Sequence, residues 1–79
     1  MNSPANYAFG KALRSLRARR GMSQYSLANE ANLDRSYISL LERGHRSPTL
    51  ETMCSLAQAL NVSIGEMIFV VESFLSAKK

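Results

Sequence analysis

The chain predicts an all-α fold of five short helices, and three observations carry that prediction. Every periodic apolar segment repeats at three and four residues, and none alternates strictly as a half-buried strand would. Capping residues (Ser23, Asp34, Thr49, Ser63) and stop residues (Gly21, Asn32, Gly44, Asn61) bracket those segments in the right order. The stretches left between them are short, as in compact helical bundles.

The first helix is expected from about Ala5 to Arg20, with Phe9, Ala12, Leu13 and Leu16 inward. Arg17, Arg19 and Arg20 crowd its last turn, where cations suit the negative end of the helix dipole. Ser23 caps a second helix that reaches Ala31 and buries Leu27, Ala28 and Ala31. Asn32 then sits where a chain reversing between two helices needs a left-handed residue, a conformation asparagine tolerates. Leu33 follows as an apolar plug.

The third helix is the most informative. Asp34 is expected to cap it by accepting a first-turn backbone N–H, and Gly44 to stop it. Ile38 and Leu41 fall three apart on one face, while Arg35, Ser36 and Ser39 point elsewhere. A short helix that buries two aliphatics and offers Arg and Ser at its leading edge suits reading base edges in a DNA major groove.

Pro48 bars continuation, and Thr49 caps a fourth helix whose Leu50, Met53, Leu56, Ala57 and Leu60 keep helical spacing. Cys54, beside those positions, is expected to be a small buried hydrophobe. Asn61 ends this helix, and Ser63 with Glu66 makes a capping-box pair for a fifth, reaching Ser76 before Lys78 and Lys79. Ile64, Ile68, Val71 and Leu75 share one side of it, flanked by Met67, Val70 and Phe74, with Phe69 nearly opposite. A helix apolar nearly all round is covered on more than one side, and a second copy of the chain is the expected cover. Met67, Phe69, Val70 and Phe74 are the candidate dimer residues.

Seventy-nine residues, 46% apolar and 20% charged, make one folded domain, residues 1–79. The longest apolar run, Met67 to Val71, is far short of the roughly 20 residues that cross a bilayer. The start lacks the basic-then-apolar layout of a secretion signal, so a cytoplasmic protein with no membrane partner is expected. One cysteine and one histidine exclude an internal disulfide and fall short of a structural zinc site. The net charge is +4, but from Lys11 to Arg46 eight Lys or Arg face three acids. The surplus charge therefore lies in the N-terminal half, which points to a polyanionic partner on one side of the molecule.

The second helix, the Asn32 turn and the third helix (about 23–43) have the order and length of a DNA-binding helix-turn-helix. Ser23-Gln24, Leu27-Ala28, Tyr37-Ile38-Ser39, Glu42-Arg43-Gly44, Arg46, Pro48-Thr49-Leu50 and Leu56-Ala57 resemble the lambda-repressor-like (Cro/C1, XRE) family. Within it, the short length, the fifth helix and the run DRSYISLLERG…R resemble the controller proteins of restriction–modification systems. The resemblance implies a five-helix lambda-repressor-like DNA-binding domain and a set of residue roles. Arg35 and Ser36 match positions that reach base edges, with Ser39 a third reader. Gln24, Tyr37, Arg43, His45 and Arg46 match contacts to the DNA backbone. Arg17 and Glu42 match a buried salt bridge tying the first helix to the third. Arg14, Arg19 and Arg20 are left as general electrostatic or surface charges, and Leu40 as a packing residue or a thymine-methyl contact, packing favoured.

The function this predicts is sequence-specific transcriptional regulation by a homodimer on a palindromic operator. Double-stranded DNA and a second copy are the implied partners, with RNA polymerase a further candidate. No cofactor, metal or small-molecule ligand is implied. The alternative is an antitoxin-type interaction protein that covers a partner with its fifth helix and binds DNA secondarily. Catalysis is disfavoured, because no nucleophile–base pair or phosphate-cradling glycine run is present.

Overall fold

A computed structural model describes residues 3–76. Lys78 and Lys79, the expected end of the fifth helix's tail, lie outside the described residues. The helices are α1 (Pro4–Arg19), α2 (Gln24–Ala31), α3 (Arg35–Glu42), α4 (Leu50–Leu60) and α5 (Ile64–Ser76). α1 begins one residue before Ala5, because Pro4 occupies the first helical position and the Ser3 hydroxyl accepts from the Asn6 amide.

The four stops share one mechanism. Gly21 and Gly44 take φ of 65° and 76°, and Asn32 and Asn61 take 60° and 59°. After each, the chain turns back to donate to a carbonyl of the helix just ended: Met22 to Arg17, Leu33 to Ala28, His45 to Leu40 and Val62 to Ala57. Starts are less uniform. Ser23, Thr49 and the Ser63–Glu66 box cap with their side chains as expected. Asp34 does not. Its backbone holds the cap conformation, but its carboxylate accepts no first-turn N–H, and the Tyr37 amide donates to Asp34's own carbonyl at 3.1 Å.

One core draws on every helix: Phe9, Leu13 and Leu16 of α1, Leu27 of α2, Ile38 and Leu41 of α3, Leu56 and Leu60 of α4, and Met67 and Val71 of α5. α1 packs mainly on α5 and α3, and α2 packs on α3 and α4. The approach of α1 to α3 is close. A Cβ added at Gly10 would stand 2.5 Å from the Leu41 carbonyl oxygen and 2.6 Å from that of Glu42. Only glycine fits this crossing without displacing backbone.

The expectations for Cys54 and Met67 are corrected, and the buried faces of α4 and α5 are defined. Cys54 is exposed, because the buried face of α4 runs through Leu56, Ala57, Ala59 and Leu60, and Cys54 lies across the helix from it. Leu50 is 66% exposed in the first turn of α4, outside the reach of the core. In α5 the inward side is centred on Met67 and Val71, while Ile68 and Leu75 are exposed. Met67 is 0% exposed within this one chain, so it has no surface to offer a second copy. Phe69 is 71% exposed, whereas Val70 and Phe74 are half-buried against the core.

Candidate nucleic-acid interface

α3 is held from behind and free in front. Ile38 and Leu41 are completely buried, while Arg35 and Ser36 at the N-terminal edge are exposed. Ser39 and Leu40 are half-buried, and Tyr37 is half-buried with its side chain packed against the core. Thus Arg35 and Ser36 have the most open approach to a ligand, and Ser39 is more recessed.

A continuous set of polar contacts fixes that edge. Arg17 of α1 grips Glu42 of α3 with both arms, Nε to Oε2 at 2.6 Å and Nη2 to Oε1 at 3.0 Å. Its remaining Nη1 donates to the Met22 carbonyl at 2.9 Å. The bidentate arrangement is the strong form of a guanidinium–carboxylate pair. The hydrogen bond to Glu42 raises the Arg17 pKa above its ordinary value, although partial burial pulls the other way. Glu42 Oε1 also accepts from Gln24 Nε2 at 3.0 Å, and Gln24 Oε1 accepts from Arg35 Nη1 at 3.2 Å.

The Arg17–Glu42 bridge is therefore present as the resemblance implied. Gln24, expected at a DNA phosphate, has one amide hydrogen and its oxygen engaged within the protein. Its second amide hydrogen is left for an outside acceptor, since a primary amide carries two donors.

Tyr25 was not singled out by the sequence, yet it borders the same edge. Its ring is 74% exposed and carries the Arg35 guanidinium 5.8 Å from its centroid. An exposed aromatic beside the α2 cap was the available signal, but the contact crosses the turn and is not readable from spacing. Arg20 is the second miss. Rather than a general surface charge, it donates through Nη1 to the Leu60 carbonyl at 2.7 Å and so holds the last turn of α4.

Three of the backbone-contact candidates lie at the other end of α3. His45 and Arg46 are exposed in the loop, and Arg43, also exposed, reaches back to the Ser39 carbonyl at 3.4 Å. Arg43, His45 and Arg46 thus lie at the end of α3 away from Arg35, whereas Gln24 and Tyr37 flank the Arg35 edge itself. This is the arrangement of a helix-turn-helix that presents the N-terminus of its second helix.

A family profile described as helix-turn-helix matches residues 13–67, and the chain belongs to that family. Among named relatives it is similar to the control protein C.BamHI of Bacillus amyloliquefaciens, 35% identical over 69 residues that make up 86% of this chain and 85% of that one. The crystal structure of the restriction–modification controller protein C.AhdI from Aeromonas hydrophila is 42% identical, with a TM-score of 0.77 over 78% of this chain and 94% of its own. The controller protein C.Esp1396I, in a point-mutant crystal structure, aligns over 100% of both chains at a TM-score of 0.93 and 26% identity. That protein has also been seen as a tetramer in complex with its natural 35 base-pair operator. Not all relatives are this small: the chain spans only 41% of the immunity repressor of Bacillus phage phi105 and 48% of the regulator DdrOP3 of Deinococcus deserti. Among the described residues, no single helix is long and apolar enough to cross a membrane.

Proposed function

We propose that this chain is a non-enzymatic, cytoplasmic regulator of transcription that binds a palindromic operator as a homodimer, in the manner of a restriction–modification controller. The observation that carries this reading is the disposition of α3. Its back is wholly buried, its leading edge is open, and the Arg35 guanidinium is held there by Gln24 and Tyr25. An arginine presented in this way matches the paired acceptors O6 and N7 of guanine.

Ser36 is a second base reader, with Ser39 a recessed third; Tyr37, Arg43, His45, Arg46 and the spare amide hydrogen of Gln24 serve the phosphates. On α5 the exposed Phe69, with the half-buried Val70 and Phe74, supplies the surface for the second copy. Two α3 helices related by a two-fold axis would then enter successive major grooves about 34 Å apart. RNA polymerase becomes a partner where the operator adjoins a promoter.

Selection of bound duplexes from random sequence, at stated salt, tests the reading directly. An inverted repeat with guanine at a fixed position in each half is expected. Recovery of no enriched sequence would overturn it.

A further inference from the structure

At the C-terminal end of α3 lies an open groove of about 570 Å³, lined from α1, the end of α3, the loop after it and α5. Four cationic or ionisable nitrogen groups from three separate places in the chain line it: Lys11 and Arg14 of α1, Arg43 at the end of α3, and His45 of the following loop. Tyr7 and Phe74 form its apolar walls. The one carboxylate among its lining residues, Glu42, already accepts three hydrogen bonds, two from Arg17 and one from Gln24. The Lys11 ammonium stands 5.2 Å over the Tyr7 ring, and Arg14 forms no ion pair among the described residues. Such a concentration of positive charge, with its nearest anion neutralised, suits an anionic oxygen ligand.

The position of the groove says which anion. α3 has eight residues, which at 1.5 Å per residue makes it about 12 Å long. The major groove of B-DNA is about 8.5 Å deep. An α3 inserted tip-first, with Arg35 at the base edges, would carry its far end back to the level of the sugar–phosphate ridge. The basic groove opens beside that end.

We infer that Lys11 and Arg14, together with Arg43 and His45, bind phosphodiesters of the duplex outside the base pairs that Arg35 reads. This rests on the DNA-binding reading above. It gives two α1 side chains, otherwise general surface charges, a defined place in the complex. Their contribution is independent of sequence, so it raises affinity and salt sensitivity without changing base preference.

The test compares the full chain with its Lys11→Gln and Arg14→Gln variants on the selected operator, extended by one helical turn on each side. Both residues are exposed, and a thermal melt checks that the variants stay folded. The salt slope is expected to become shallower by about 1 for each phosphate contact removed, with an unchanged order of preferred bases. Phosphate ethylation should reveal discrete positions outside the read bases that block the parent and no longer matter to Arg14→Gln.

Slopes and ethylation patterns identical to the parent would overturn the inference and leave these cations a role only at the α3 dipole. So would a loss spread evenly over all phosphates, which signals net charge alone. A third arm titrates the free protein with pyrophosphate. Saturable binding there, combined with unchanged DNA slopes, would assign the groove to a free anion and overturn the duplex assignment. A parent that binds no duplex at all would sink the DNA reading itself, whereas a binding parent with indifferent variants sinks the groove alone.

Discussion

Gln24 Oε1 accepts a hydrogen bond from Arg35 Nη1 at 3.2 Å, while the nitrogen of the same amide donates to Glu42. The arginine at the tip of α3 is thereby connected through Glu42 to Arg17 of α1. Holding a long, rotamer-rich side chain before the ligand arrives lowers the ordering cost of binding. The consequence is coupling between Gln24 and Arg35 that neither residue shows alone. Arg35→Ala is expected to weaken operator binding by about 1–3 kcal/mol and relax preference at one position. Gln24→Ala should weaken it too, and the double variant should reveal about 0.5–3 kcal/mol of interaction in a mutant cycle. Strictly additive losses would show that the contact has no energetic role in the complex.

Arg46 lies beyond the other end of α3, exposed in the loop. Arg46→Ala should weaken binding to all sequences alike and reduce the salt slope by about 1. Binding measured across a salt series on both the operator and a scrambled duplex separates this from the Arg35 effect. A change in base preference would reassign Arg46 to direct readout.

Glu42 has 4% of its side chain exposed and Arg17 16%, so the bridge between them is largely out of water. Arg17→Ala would leave a carboxylate buried without its guanidinium, at a cost of about 3–5 kcal/mol. Denaturant unfolding measures this. In a domain of this size such a loss is a large part of the total stability. Replacing both partners together, Arg17→Met with Glu42→Leu, should recover much of it, because no charge is then stranded.

Gly10 allows α1 to lie against the carbonyls that end α3. Gly10→Ala improves helix propensity by about 1 kcal/mol. The added methyl nonetheless meets two backbone oxygens inside 3 Å, and overpacking of this kind costs about 1–3 kcal/mol. A lower melting temperature is expected. An unchanged one would mean that the two helices part without penalty.

On α5, Phe69 and Met67 are two residues apart and face opposite fates. Phe69→Glu should leave the thermal melt of the monomer fold nearly unchanged, because the ring is 71% exposed, and should shift sedimentation equilibrium toward monomer. Met67→Ser should destabilise the fold itself, since that side chain is entirely enclosed. Persistence of dimer in Phe69→Glu would move the contact surface elsewhere.

Local chemistry was the legible part of this molecule. Ser23, Thr49 and the Ser63–Glu66 pair cap within three residues of themselves, and Asn32 and Asn61 reverse the chain through their own φ. The Arg17–Glu42 bridge was reachable too, but through family resemblance, since 25 residues separate the pair. Helical spacing alone left the inward face of α5 open, because its apolar residues lie nearly all round the helix and several phases fit equally well.

Reading residues alone was enough to place five helices to within a residue or two, and to give α3 an apolar back with arginine and serine at its tip. Those properties depend on hydrogen bonds and side-chain periods confined to a few neighbouring residues. Helix docking settled the rest: Cys54 and Leu50 face outward, Met67 is enclosed, Arg20 ends on the Leu60 carbonyl and Gln24 holds Arg35. A helix's apolar stripe says that one face is buried, but the position of its neighbours decides which angle of the cylinder that face occupies. Contacts between residues as far apart as 40 positions exist only once those helices have docked.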